Sequence, residues 1–475
     1  MSMEASEPTA KTLEPGMFGP TPAAAPPVPR PTGGTPRVQG PDRAQVVMSF
    51  GPLDHRLPAD HPARQVWAYV ESADLAALYA PIKAVAGWAG RRAIDPQILL
   101  SLWLYATLDG VGSAREIDRL CQEHDAYRWL CGGVSVNYHS IADFRTEHVA
   151  FLDQLLTDSV AALVHEGLVT LNRVAQDGVR VRASAGAASF RRRPTLEQCQ
   201  AEAEEQVRQL RAELEGDASA SSKRQQAARQ RAARERAERL GRALAQMQEL
   251  EKKRKTPPAP AKSEPGKDGQ DGNGGQDKKP EPQPPRVSTT DPEAHVMKMA
   301  DGGFRPAYNV QFAADTAAQI VTGVEVGMVG SDQGQMLPMV QQHEDRYQQT
   351  PNEVLVDGGF TKLSDIEQVT AKGATVYAPV PQPRKAGQDA YARRPEDSDV
   401  IAQWRQRMNS EPAKTIYKER AATAECVNAA ARNRGLYQFL VRGLQKVKAV
   451  ALLFALAHNL ARAVTLRAPL AVAAG

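Results

Sequence analysis

Apolar residues recur at helical spacing early in the chain and alternate with polar ones further on. In RAIDPQILLSLWLYATLDGVGSAREIDRLC, Leu99, Leu100, Trp103 and Leu104 fall on one helical face. Asp95 is placed to cap that helix with Pro96 in its first position, and Gly110 to end it. Ser113 and Glu116 have capping-box spacing for a second helix through Leu120, and Ser140 is placed to cap a third running through Phe144 towards His165. Past Gly167, Val169, Leu171 and Val174 lead into Asp177-Gly178 as an apolar strand ending on a carboxylate. Residues 195–255 carry two thin apolar stripes, one through Val207, Leu210 and Leu214 and one through Leu240, Leu244, Met247 and Leu250, which predict a helical hairpin. A spacer or dimer contact is its expected role. AYNVQFAAD and QIVTGVEVGMV then alternate like two antiparallel strands turning near Thr316 to Ala318. A helix over Asp332 to Tyr347, a strand EVLVD, a helix from Leu363 to Lys372, a strand TVYAPV and helices from Glu411 onward complete a mixed α/β pattern.

Composition sets the boundaries between these blocks. Residues 1–46 are rich in Pro, Ala, Gly and Thr, and 256–286 in Pro, Gly, Lys and Asp, so both read as disordered. Between them lie an N-terminal helical block at 47–168, a sheet-bearing domain made of 169–194 and 287–465, and the hairpin inserted between its halves. The formal net charge is only +4, yet from Pro412 to Gly475 ten Lys and Arg stand against Glu419 and Glu425. Such a segment suits phosphate contacts or a solvated helical face. Cys121, Cys131, Cys199 and Cys426 have neither C-x-x-C nor zinc-finger spacing and read as reduced thiols of a cytoplasmic, nucleoid-associated protein. The run AVALLFALA from Ala449 is shorter than the ~20 residues that cross a bilayer, so it is expected to be a core helix, with no membrane partner.

Two strands end in the same Asp-Gly grammar, at Asp177 and in EVLVDGGF at Asp357. Asp-Gly is a common turn pair; it also serves where a carboxylate on a rigid strand must hold a cation. Asp315, closing YNVQFAAD, is expected at a hairpin corner as a turn residue. A third carboxylate, Glu425, lies in the late helix YKERAATAECVNAAARNRGL, flanked by Ala424, Cys426 and Val427. An ionised carboxylate among such residues needs compensation. Glu419, between Lys418 and Arg420, has it from its neighbours.

Ordered along the chain, LLSLWLYA, REIDRLC, YRWLCGG, ADFR, QDGVRVRASA, YNVQFAAD, VLVDGGF and the late-helix segment resemble DDE transposases of bacterial insertion sequences, with a ribonuclease H-like catalytic core, over roughly residues 47–465. The resemblance implies binding of the element's terminal inverted repeats, and metal-dependent cleavage and strand transfer of double-stranded DNA, including target DNA. It implies two Mg²⁺ ions, with Mn²⁺ as substitute, held by Asp177, Asp357 and Glu425, DNA contacts by Tyr417, Arg420 and Arg432, and a homodimer on DNA. Were the helix regular, Arg420 would point about 140° away from Glu425. The alternatives are an inactive DNA-binding descendant and a general ribonuclease H-like nuclease.

Overall fold

A computed structural model describes residues 51–84, 92–216, 220–255, 284–383 and 387–474. The expected disordered tail and most of the expected linker lie outside these residues.

Helices α1 (Pro62–Ser72), α2 (Ala76–Tyr79), α3 (Pro96–Leu108), α4 (Ala114–Glu123), α5 (Asp125–Cys131), α6 (Tyr138–Glu147) and α7 (Val149–His165) come first. The Asp95 and Ser113 caps form as expected, Asp95 accepting from the Gln97 amide at 2.9 Å and Ser113 from the Glu116 amide at 3.4 Å. Gly110 ends α3 at a φ of +76°. The third helix differs: Asn137, not Ser140, caps α6, and the chain breaks at His148 before α7 begins. Asn137 Oδ1 takes the Ser140 amide at 3.1 Å, so Ser140 is the capped residue.

Strand β1 (Arg173–Arg182) follows, then β2 (Phe190–Arg191), the hairpin helices α8 (Arg193–Gly216) and α9 (Ala220–Lys255), and β3 (Val287–Ser288), which pairs with β2. Next come β4 (His295–Lys298), β5 (Phe304–Asp315), β6 (Val321–Gly327), α10 (Met336–Tyr347), β7 (Glu353–Leu355), α11 (Leu363–Ala371), β8 (Thr375–Tyr377), α12 (Asp399–Asn409) and α13 (Glu411–Arg420). A π-turn over Ala421–Glu425 leads into α14 (Cys426–Asn433), and α15 (Leu444–Ala474) closes the chain. The main sheet runs β4-β5-β1-β7-β8, with β6 also on β5. β5 is antiparallel to β1, β4 and β6, whereas β1, β7 and β8 are parallel.

One apolar core joins the N-terminal helices, one sheet face (Val179, Val181, Val310, Phe312) and α15 (Leu452, Phe454, Leu456). A second gathers Val354 and Leu355 of β7, Val376 of β8, and α10, α11 and α12. α15 is the one helix among the described residues long and apolar enough to cross a membrane, but about two thirds of that stretch is buried inside the fold. Its polar residues fasten it to the sheet. Asn459 Oδ1 accepts from the Val321 amide and its Nδ2 donates to the Val321 carbonyl, both at 2.7 Å, and His458 Nε2 bonds the Gln319 carbonyl at 2.9 Å.

Replacing Asn459 with leucine leaves two buried backbone groups unpaired, at about 1–3 kcal/mol apiece. Asn459→Leu should therefore lower the urea midpoint of unfolding by an amount equivalent to about 3 kcal/mol, and an unchanged midpoint would refute this anchoring role.

Candidate active site

The parallel register between β1 and β7 sets the site. Ala175 lies opposite Leu355, so the residues two further on, Asp177 and Asp357, leave adjacent strands at the same level. The carboxyl end of parallel strands is where open α/β sheets place their ligands. Asp177 does not end its strand, as its Asp-Gly pair suggested. β1 continues to Arg182, with Asp177 opposite Phe312 and Gly178 opposite Gln311. Asp357 lies just past β7, where its Oδ1 takes the Gly359 amide at 2.8 Å. Asp315 is the turn residue expected, accepting from the Ala318 amide at 2.8 Å.

Gly178 is extended backbone, and its lack of a side chain serves packing. A Cβ there would come within 3.0 Å of Asp332 Oδ1, Gln311 Nε2 and Asn309 Oδ1. Through this gap Asp332 approaches the aspartate pair: its Oδ2 and Asp357 Oδ1 lie 3.6 and 3.0 Å from the point where a Cβ on Gly359 would sit. Asp332 is buried and held on all sides. Asn309 Nδ2 (2.8 Å) and Gln311 Nε2 (2.7 Å) donate to its Oδ1, and Arg180 Nη2 (3.1 Å) to its Oδ2. The sequence reading missed Asp332. A signal was present in β5, where Asn309 and Gln311 put two polar side chains on one face of a wholly buried stretch.

The opposite side of the site comes from α13, the π-turn and α14. Arg420 Nη2 lies 3.4 Å from Asp177 Oδ2 and 3.7 Å from Asp357 Oδ2, and Asn428 Nδ2 donates to Asp177 Oδ2 at 3.0 Å. On a regular helix residues 420 and 428 would point about 80° apart; one extra residue in the turn cuts this to about 20°. The π-turn is thus what aims both side chains at Asp177, and it corrects the regular-helix expectation for Arg420. Burial pushes the Asp177 carboxyl up to about 6, with Arg420 pulling it down and the charge on Asp357 pushing it further up. Tyr417 is half-buried beside this group, its hydroxyl pKa raised chiefly by burial.

The other expected residues stand apart from this cluster. Glu425 is exposed, because Thr423, Ala424, Val427 and Asn428 take the inward positions, and it makes no hydrogen bond or ion pair among the described residues. The apolar surroundings expected for it are absent. Glu419 bonds Arg173 at 2.6 Å. Arg432 is exposed and lines a cavity of about 380 Å³ with Trp103, Asp109, Arg145 and Tyr437.

Four buried polar atoms in and beside the cluster lack a protein partner: Arg420 Nε, Asn428 Oδ1, Asn309 Oδ1 and Gln176 Oε1. Two adjacent carboxylates already spanned by a guanidinium form a hard-oxygen donor set suited to a divalent cation such as Mg²⁺. Among the described residues no three His, Cys, Asp or Glu side chains converge as a preassembled metal cluster.

Two family models match the chain, a transposase domain of otherwise unassigned function over residues 51–147 and a transposase DDE domain over residues 383–464. The second match spans the π-turn with Arg420, Glu425 and Asn428. No curated protein and no solved structure matches.

The two nearest atoms to that gap, Asp332 Oδ1 and Gln311 Nε2, are hydrogen-bonded to each other and have little room to yield. Gly178→Ala should cost about 1–3 kcal/mol, as overpacking usually does, and should disturb Asp332 before the rest of the fold. Thermal unfolding measures it; a variant as stable as the parent would show that the gap is not required.

Proposed function

We propose that this chain, a DDE transposase of an insertion sequence by its two transposase matches, binds the terminal inverted repeats of its element and cuts and joins DNA at Asp177 and Asp357. The observation that supports this most is the parallel register that sets the two carboxylates side by side with Arg420 between them. The order of strands, with β5 and β6 antiparallel on one side of β1 and parallel β7 and β8 on the other, fits a ribonuclease H-like core. On this reading, residues 47–168 form a helical DNA-binding domain and 195–255 an insertion into the catalytic domain of 169–194 and 287–465.

Asp177, Asp357 and Glu425 are the residues that would hold the divalent ions, Mg²⁺ or Mn²⁺, which this family generally uses. Such ions activate an attacking oxygen and stabilise a leaving one in phosphodiester chemistry. The chain's own contribution is positional. Asn428 and the Gly178 amide fix the two oxygens of Asp177. Arg420 pairs with both aspartates in the free protein and is the cation placed to take a phosphate oxygen of the scissile strand. Tyr417 and Arg432 supply further DNA contacts, and a homodimer brings two ends together. The exposure of Glu425 favours one second reading, a descendant that binds ends without cutting.

A strand-transfer assay with duplexes carrying the element's ends tests the proposal. Asp357→Asn and Glu425→Gln should each abolish Mg²⁺-dependent cleavage while retaining DNA binding. Glu419→Gln should keep most activity, because it gives up only a partly exposed pair with Arg173, worth less than about 1 kcal/mol. A dead Glu419 variant beside an active Glu425 variant would overturn the assignment, and a wild-type chain that binds ends without cutting them would establish the second reading.

Protonation gives a further test. The folded pKa of Asp177, near 6, stands above its ordinary 3.8. Its ionisation therefore opposes folding, a penalty absent below the unfolded value and complete above the folded one. A bound cation needs the ionised form. The rise in melting temperature on adding Mg²⁺ should be small at pH 5 and reach its plateau above about pH 6.5. A rise independent of pH would remove Asp177 as a ligand.

A further inference from the structure

The helical insertion carries a run of arginines that close ion pairs do not neutralise. Arg236, Arg239 and Arg242 follow one another at a spacing of three along α9, on one side of the helix. Arg442, from the stretch before α15, joins them. None of the four forms an ion pair among the described residues, although Glu235 and Glu238 lie on the same helix. Arg236 reaches only the Gln206 amide oxygen (3.4 Å), Arg239 the Thr289 carbonyl (3.1 Å) and Arg442 the Ser184 carbonyl (3.1 Å). Arg236, Arg242 and Arg442 are exposed, and Arg239 is half-buried. Burial lowers the affinity of Arg239 for its proton, and the charges of Arg442, Arg242 and Arg236 lower it further against the opposing pull of Glu235. Four mutually repelling guanidinium groups cost the free protein stability. A polyanion would relieve that repulsion, and duplex DNA offers one negative charge per ~1.7 Å of axis.

Arg442 is tied to Ser184, just past the end of β1 and seven residues from Asp177. At about 3.3 Å per extended residue this is on the order of 20 Å from the aspartate pair, or about six base pairs of duplex. We infer that Arg236, Arg239, Arg242 and Arg442 form a phosphate-binding surface for duplex DNA, joining the helical insertion to the C-terminal segment and holding the duplex about six base pairs from the reacting phosphate. The inference rests on the transposase reading above, and it gives the insertion a task in place of the spacer or dimer role expected from its sequence.

Fluorescence anisotropy with a labelled duplex of about 30 base pairs tests it, since phosphate contacts do not depend on base sequence. Arg236 and Arg242 are the members to change, because neither donates to a backbone carbonyl. Arg236→Gln with Arg242→Gln should keep the thermal midpoint and weaken binding. The plot of log affinity against log salt should be shallower by about 2, close to 0.9 for each phosphate no longer neutralised. Cleavage at saturating DNA should persist. A folded double variant with unchanged affinity and salt slope overturns the inference while leaving the catalytic reading in place. A wild-type chain that binds no duplex overturns both.

Discussion

Two carboxylates at the same level of adjacent parallel strands repel one another, and the site is arranged around that repulsion. β-sheet register admits no half measures: Ala175 opposite Leu355 commits Asp177 to Asp357. Arg420 relieves the repulsion by reaching both, and Asn428 adds a hydrogen bond to Asp177. From a regular helix the two side chains would point about 80° apart. π-turns are rare because their hydrogen-bond geometry is poorer, and they concentrate at functional positions. Here one such turn, at Ala421–Glu425, is what delivers two polar side chains to one carboxylate.

The platform that carries the site is held from both faces of the sheet. α15 fills one face with Leu452, Phe454 and Leu456 and fastens the β5–β6 corner through His458 and Asn459. The N-terminal helices share that core, so movement in them is transmitted to β1 and β5 through packed side chains that deform little. Asp332 braces the other face, linking β5 through Asn309 and Gln311 to β1 through Arg180. Together these contacts fix the strand ends that carry the aspartates.

What was legible in the sequence follows from where each signal resides. Caps at Asp95 and Ser113 are local, and the β5–β6 hairpin is a period-2 pattern with a turn, so both read correctly. Asp177 and Asp357 were found because their apolar runs flank them directly. The misplacement of Asp177 at a strand end came from reading Gly178 as a turn residue, whereas it is a close-approach residue. That distinction exists only once β5 and Asp332 are folded against it. The π-turn was equally hidden, because an inserted residue leaves no compositional mark in AATAE. The regular-helix geometry assumed for Arg420 failed on that one residue, and the burial assumed for Glu425 failed because Thr423, Ala424, Val427 and Asn428 take the inward positions. Asp332 was missed because its partners lie on β1 and β5, far away in sequence. α12, from Asp399 to Asn409, was missed with it, although Ser398 caps it in the usual way.

On the proposed reading, the distribution of charge separates holding DNA from reacting with it. Around the aspartate pair, Asp177, Asp357 and Asp332 face Arg420 and Arg180, so the cleft is negative by one charge when all are ionised. A phosphodiester approaching such a cleft is repelled, and only added cations make its entry favourable. The arginines of α9 and Arg442 carry the opposite sign, without close ion pairs among the described residues, on the order of 20 Å away along β1. On the proposed reading, a duplex would be drawn first to the insertion and the C-terminal segment, where attraction acts without metal, and its end would reach the aspartates once their charge is compensated. Binding and chemistry on one chain would thus answer to different ions: monovalent salt would weaken the first by screening phosphate contacts, and divalent cations held by the carboxylates would supply the second.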